Sequence, residues 1–409
     1  MKWPVKALAE VASVGSGAGF PIADQGKNVG DFPFLKVSDM NLRGNARTIE
    51  CWNNMVTDQV RGRLHATAFP AGSVIFPKIG AAIGTNKKRL LTRACCVDNN
   101  VMAVVPDKAK LEPEFLYFLL LKKNISDFAS DSNPPSIRKS AVENWQVEVP
   151  PLEEQRRIVD LLSRADGIVR LSRLARQKSA ELTPARFVAM FGDPATNPMG
   201  WPLRSVRELV TRFEGGKNLQ AGSDGSTDFR ILKVSAVTSG VYIEAESKPT
   251  PDDYEPPQNH IVREGDMLFS RANTEELVGA TAVVRATNGR TLLPDKLWRF
   301  VWAAPVEQAF MHALFQSAYV RQELGKLSSG TSASMRNISQ AKLFELRLPV
   351  PPLARQSAFA RHAEALQSIQ SQQGLALQKA TATFDGLLAR AFSTEGAAAA
   401  VHEAEGVVA

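Results

Sequence analysis

The chain has 409 residues, 44% of them hydrophobic, enough for more than one packed core and too apolar for a disordered or fibrous protein. Lysine and arginine (49) outnumber aspartate and glutamate (42), a net charge of +7 that favours an anionic partner. Three cysteines, two of them adjacent (Cys95 and Cys96), support neither a disulfide framework nor a zinc site. No stretch reaches the roughly 20 apolar residues that span a bilayer, so a soluble cytoplasmic protein without membrane contact is expected.

In chain order, Val5 to Val11 reads as a helix, followed by the glycine-rich Gly15-Ser-Gly17-Ala-Gly19. A nucleotide loop needs a strand before it and a helix after it, so a turn is the better expectation. Short strands are expected at Phe32 to Val37, Ser73 to Phe76, Val101 to Val105 and Gln146 to Val149, with a helix from Glu114 to Phe128. After Pro150-Pro151 the pattern turns helical: Ile158, Leu162, Ala165 and Val169 form the seam of a helix that packs on another helix.

The same order then returns. Trp3-Pro4 recurs as Trp201-Pro202, DFPFLKVS (Asp31 to Ser38) as DFRILKVS (Asp228 to Ser235), and GSVIF (Gly72 to Phe76) as GDMLF (Gly265 to Phe269). FLYFLLL (Phe115 to Leu121) is answered by FMHALFQ (Phe310 to Gln316), and VPPLEEQ (Val149 to Gln155) by VPPLARQ (Val350 to Gln356). Strands are therefore expected again at Phe229 to Val234, Asp266 to Phe269, Trp298 to Trp302 and Glu345 to Val350, with a helix from Glu307 to Leu327. A second seam runs through Leu366, Ile369, Gln373, Ala376 and Ala380; Gly167 and Gly374 should let the two helices bend. The alanine-rich tail from Ser393 to Ala409 should be disordered.

No catalytic site stands out. Asn133-Pro-Pro-Ser136 is like the amine-holding motif of amino-methyltransferases, but lacks its aromatic ring. Asp252-Asp253, Asp295-Lys296 and the five histidines show no metal spacing, and Asp98 and Asp295 hold matching turn positions before apolar strands. No cofactor and no metal are expected.

Two halves, each closed by PPL-x-x-Q and a long helix, resemble the specificity (S) subunit of type I restriction-modification systems. The marks are PPLEEQRRIVDLL (Pro150 to Leu162), FVAMFGDPATNPMGWP (Phe187 to Pro202) and SSGTSASMRNIS (Ser328 to Ser339), in family order; the second PPL departs in having Ala354 and Arg355. The resemblance implies an α+β fold: two pseudo-twofold-related recognition domains, each a small mixed sheet with helices, separated by two long antiparallel helices. The expected divisions are 1–150, a spacer helix at 151–192, 193–350, a second spacer helix at 351–392, and the tail at 393–409. The resemblance also implies a chain without chemistry of its own. Its partners would be double-stranded DNA, two copies of an adenine methyltransferase subunit that carries S-adenosylmethionine, and a motor-nuclease subunit. Glu153, Glu154, Gln155 and Gln356, at the helix starts, are candidates for docking those subunits, or simply complement the helix dipole.

Candidate DNA contacts are cations and small polar residues in loops that recur. In the first half they are Thr85, Asn86, Lys87, Lys88 and Arg89, joined by Lys36, Lys78, Arg138 and Lys139; in the second, Lys233, Arg271, Asn273, Ser329, Thr331, Ser332 and Arg336. The recurring pairs, Lys36 with Lys233 and Lys78 with Arg271, are the stronger candidates, and a lysine kept by both halves suits phosphate better than a base. Residues 1 to 150 carry 19 basic and 14 acidic residues, 195 to 350 carry 18 and 17, so the second half is nearly neutral.

Overall fold

The computed structural model describes residues 3–220, 228–251, 254–332 and 335–392, residues 331 and 332 by their backbone alone. The tail Ser393 to Ala409 and the pair Asp252-Asp253 lie outside the described residues. The described chain forms two compact units, one of residues 3–173 with 376–392, the other of 174–375.

In the first unit a five-stranded sheet runs in the order Ala12–Ser16, Val101–Pro106, Val74–Pro77, Arg89–Leu91, Thr48–Ile49, all antiparallel except the last pair. Its central strands are apolar at every position because both faces are covered. Val74 and Phe76 point into one core, built with helix Pro113–Lys122; Ile75 points into another, with Leu35 and Val97. A small sheet of Met55–Val56, Phe32–Leu35 and Cys96–Val97 lies beside it.

The second unit repeats this plan. Val210–Gly215, Leu297–Trp302, Met267–Ser270 and Thr281–Val283 form an antiparallel sheet, and Ser247–Pro249, Arg230–Leu232 and Thr291–Leu292 a smaller one. Met267 and Phe269 face the core of helix Gln308–Gln316, while Leu268 faces the opposite core.

The expected long helices are Leu152–Phe191 and Leu353–Ala391, the first continuing through Pro184. In the first unit Ile158, Leu162, Ala165 and Val169 are buried with Phe384, Leu388 and Ala391. The seam proposed for the second helix is displaced: Ile369 and Ala376 are exposed, and Phe359, Ala360 and Ala363 are the buried positions in the second unit. At its middle the second unit uses polar contacts instead. Ser179 donates to Gln373 Oε1 at 2.6 Å, and Gln370 donates to the Ser179 carbonyl at 2.9 Å.

Three other expectations are corrected. Val5 to Val11 is a strand (Val5–Ala7) followed by a 3-10 turn (Leu8–Glu10), because Val5–Ala7 pairs with Gln146–Glu148. The helix from Glu307 to Leu327 breaks at Ser317, whose hydroxyl caps a second helix, Ala318–Leu327, by accepting the Val320 amide. Glycines 15 to 19 are not a free turn: Gly15 lies in strand Ala12–Ser16, and Gly17 is pressed on the Asp98 carbonyl. Gly216 meets the Leu293 carbonyl in the same way, so both units need a residue without a Cβ there.

That contact distinguishes neighbouring glycines. Gly17→Ala should destabilise the protein by about 2–4 kcal/mol, since backbone must shift. Gly19→Ala, with open space around its Cα, should change stability by less than about 1 kcal/mol. Thermal unfolding of the two variants decides the matter; equal midpoints would contradict the close approach.

Candidate nucleic-acid interface

The two units stitch the same strand end to the same later segment. Strand Val74–Pro77 runs into Lys78, whose carbonyl accepts the Ile137 amide at 2.8 Å; strand Met267–Ser270 runs into Arg271, whose carbonyl accepts the Ile338 amide at 2.9 Å. A short helix follows in each, Lys139–Glu143 or Gln340–Glu345. The recurring cation is thereby placed beside a loop of small polar residues.

In the first unit that loop carries Ser130, Ser132 and Ser136, whose hydroxyls lie 2.8 to 3.4 Å apart. Lys78 Nζ donates to Ser16 Oγ at 3.1 Å, and Lys36 Nζ to Gln25 Oε1 at 3.0 Å. Both ammonium groups donate to neutral oxygens, and Lys36 also lies within electrostatic reach of the Asp98 carboxylate. Arg138 is exposed, with no side-chain partner among the described residues, and Lys139 pairs with Glu143 at 3.4 Å. Asp98 keeps the expected turn role, accepting the Asn100 amide at 3.0 Å, and burial raises its carboxyl above the usual range.

Within Thr85 to Arg89 only Lys88 is buried; Thr85 is exposed, and Asn86, Lys87 and Arg89 are half-buried. Lys88 is 1% exposed and donates to Asn86 Oδ1 at 2.5 Å and to the Lys123 carbonyl at 2.7 Å. Asn86, in the left-handed region at φ 52°, also accepts the Ile125 amide at 3.0 Å. The Arg89 guanidinium donates to the carbonyls of Asn45, Lys88 and Met40, and the Thr85 hydroxyl to that of Ala82. Lys87 donates to Asn41 Oδ1. Burial pushes the Lys88 amine down to about 8. Lys27 and Arg43, overlooked in the sequence as single charges in loops, are instead exposed and without side-chain partners among the described residues.

In the second unit Ala272–Asn273 pairs with Met335–Asn337, which pairs with Ser329–Ser332. Arg271 donates to the Asp295 carbonyl at 2.8 Å and lies over the Trp298 ring at 5.6 Å. Asn273 accepts the Thr274 amide at 2.8 Å, and Arg336 pairs with Glu275 at 3.5 Å. Lys233 is exposed and without a side-chain partner among the described residues, and Ser329 is exposed; the side chains of Thr331 and Ser332 lie outside the described residues.

At the start of the first long helix Glu153 is exposed and Glu154 pairs with Arg157 at 3.6 Å. Gln155 and Gln356 are corrected as docking residues. Both are buried and spend their amides inside their own unit: Gln155 accepts the Glu112 amide at 2.8 Å, Gln356 the Glu307 amide at 3.1 Å. The methyltransferase-like Asn133-Pro-Pro-Ser136 has its carbonyls engaged as well. Pro134 accepts the Ser132 hydroxyl at 2.9 Å and Pro135 the Gly80 amide at 2.8 Å. Among the described residues no group of three or more His, Cys, Asp or Glu is arranged to hold a metal ion, and no helix is long and apolar enough to cross a membrane.

The family model described as "Type I restriction modification DNA specificity domain" matches residues 1–182. The EcoEI specificity subunit of Escherichia coli is 27% identical over 167 residues, which is 40% of this chain and 28% of that protein. The MjaVIII specificity subunit of Methanocaldococcus jannaschii is 22% identical over 307 residues, 70% of this chain and 71% of that one. The crystal structure of the type I S subunit from M. genitalium superposes with a TM-score of 0.59 over 96% of both chains at 14% identity, a likeness of fold.

The buried Lys88 gives a pH-dependent signature. Its folded pKa of about 8 lies below the ordinary 10.5, so the buried charge costs stability fully below pH 8. Between these values the unfolded chain holds a proton that the folded chain has lost, and stability rises with pH. The stability of wild type minus that of Lys88→Met, from urea unfolding across this range, should therefore climb with pH. A flat difference would contradict a desolvated amine.

Proposed function

We propose that this chain, a member of the type I restriction-modification specificity-subunit family, is a non-catalytic subunit that reads a bipartite site in double-stranded DNA, one part with each unit. It would dock two copies of an adenine methyltransferase subunit, which brings S-adenosylmethionine, and a motor-nuclease subunit, in the cytoplasm. The observation that carries this reading is the repeated stitch of Lys78 to Ile137 and Arg271 to Ile338, which sets a cation beside a polar loop in each unit.

Lys36 and Lys78, resting on neutral oxygens, suit phosphate, and phosphate contact positions a protein on a duplex without reading its sequence. The hydroxyl loop at 130–136 and the strands around Asn273 and Arg336 supply the directional donors and acceptors that base edges require. Docking is supported by apolar side chains left exposed on the long helices: Ile168 and Leu171 in the first unit, Leu182, Val188 and Leu375 in the second. A methyltransferase or nuclease acting alone is the weaker reading, since the carbonyls of the methyltransferase-like motif are already engaged.

Two experiments test this on the chain assembled with its methyltransferase partner. Exchange of residues 3–150 for another recognition domain should change one part of the methylated site and preserve the other; a change in both parts would refute independent reading. Lys78→Ala should weaken binding to every DNA sequence alike and lower the slope of log K against log salt by about 0.9, the share of one phosphate. Lys88→Met should leave that slope unchanged. A slope untouched by Lys78→Ala would remove Lys78 from the phosphate contacts.

A further inference from the structure

We infer that Gln155 and Gln356 are positioning residues that fix the direction in which each long helix leaves its unit, and thereby the gap between the two parts of the site. The inference rests on the bipartite reading above.

Gln155 stands three residues before Ile158 and seven before Leu162, on the buried seam of the helix, where an apolar residue would ordinarily sit. It is fully buried, and its amide joins three segments. Its Oε1 accepts the Glu112 amide at 2.8 Å, and its Nε2 donates to the carbonyls of Lys110 and Pro150, each at 2.8 Å. Glu112 is the N-cap of helix Pro113–Lys122, which fills the main core, and Pro150 lies just past the exit strand Gln146–Glu148. Helix start, core helix and exit strand thus meet on one side chain.

Further along the first unit, Arg156 meets Glu112 at 2.6 Å, and Arg47 meets Glu114 at 3.0 Å, Ser163 at 3.2 Å and Asp166 at 3.4 Å. The second unit repeats the device at the equivalent position. Gln356 accepts the Glu307 amide at 3.1 Å and donates to the Pro351 carbonyl at 2.8 Å, while Ser357 donates to Glu307 Oε1 at 2.6 Å. Glu307 is again the N-cap of the core helix, Gln308–Gln316. Both glutamines bond the cap of the core helix and a proline carbonyl, on two stretches of sequence that share only VPPL and Q, which marks the glutamine as the constant part.

Apolar packing is non-directional and tolerates small rotations, whereas a carboxamide held by two or three hydrogen bonds does not. The leverage is large. The first helix has 40 residues and is roughly 60 Å long, so a tilt of about 5° at its start moves its far end by about 5 Å. That exceeds the ~3.4 Å rise of one base pair.

The test uses the assembled methyltransferase complex and a pool of DNA in which the two parts of the site are separated by every gap within a few base pairs of the preferred one. Wild type, Gln155→Leu, Gln356→Leu and Leu162→Ala are compared by sequencing methylated adenines; Leu162→Ala is a core truncation without a hydrogen bond to lose. Gln155→Leu and Gln356→Leu should each bring methylation of neighbouring gaps about tenfold closer to that of the preferred gap, the scale of losing one or two buried hydrogen bonds. Leu162→Ala should keep the wild-type preference while lowering the melting temperature. Gap selectivity as sharp as wild type in both glutamine variants would overturn the inference, and so would an equal loosening in Leu162→Ala. If Gln155→Leu fails to assemble, Gln356→Leu carries the comparison. A wild-type complex indifferent to the gap would instead refute the bipartite reading itself.

Discussion

Everything in each unit hangs on a ribbon three residues long in which its entry and exit strands meet. Val5–Ala7 pairs with Gln146–Glu148 and Leu203–Ser205 with Arg347–Pro349, each closed by one further bond, from the Val149 amide to the Pro4 carbonyl or from the Val350 amide to the Pro202 carbonyl. Two prolines follow at once. Proline lacks the amide needed to extend a ladder but suits the first turn of a helix, so the ribbon must end and a helix must begin at that point. The glutamine one turn later then finds the cap of the core helix within reach because the ribbon has already brought exit and core together.

On this shared frame the interiors have diverged. At equivalent positions of the central strand pair the first unit places Ala103 opposite Ile75, the second Arg299 opposite Leu268. A buried guanidinium needs partners, and Arg299 has them: Glu214 at 2.5 Å, Asp266 at 2.9 Å and the carbonyls of Ile261 and Asn259. Two acids of the second unit are thereby spent inside it, holding together the edge strand, the central strands and the segment before Val262. The first unit makes its own ion group elsewhere, where the buried Arg47 joins Glu114 of the core helix to Asp166 of the long helix. Topology, not the identity of the core residues, is what the repeat preserves.

Much of this was legible in the sequence. Repeated blocks located eight strands to within a residue or two, since Val-, Ile- and Phe-rich runs bounded by glycine and proline have few alternatives, but gave no sign of Ala12–Ser16, Arg89–Leu91, Val210–Gly215 or Thr281–Val283. The N-terminal helix was misread because Val5 to Val11 is locally ambiguous and only its distant partner, Gln146–Glu148, makes it a strand. Position at a helix start suggests docking or dipole complementation for Gln155 and Gln356, yet the signal for burial is present: each lies on the same helical face as the apolar residues three and seven positions later. Lys88 shows the same signal, two positions before the inward-facing Leu90 and just ahead of strand Arg89–Leu91. Polar side chains at apolar positions are easily assigned to function when their first use is to satisfy buried backbone. The partners that settle Lys88, the carbonyl of Lys123 and the side chain of Asn86, include one 35 residues away, beyond any local pattern.

The same distinction bears on how the two units would hold DNA under the proposed function. Lys36 and Lys78 donate to neutral oxygens, whereas Arg271 is bound to the Asp295 carbonyl, lies 3.9 Å from its carboxylate and covers Trp298. With +5 over residues 1 to 150 against +1 over 195 to 350, the first unit has the means to gain affinity by releasing counterions from phosphate. The second has a more directional set: an arginine held on the Asp295 carbonyl beside Trp298, Asn273 beside Arg336, and a serine-bearing edge strand. A planar, pre-placed guanidinium loses less freedom on meeting a base edge than a mobile lysine, so neutrality of the second unit is compatible with tight reading, provided its contacts are hydrogen bonds rather than charge.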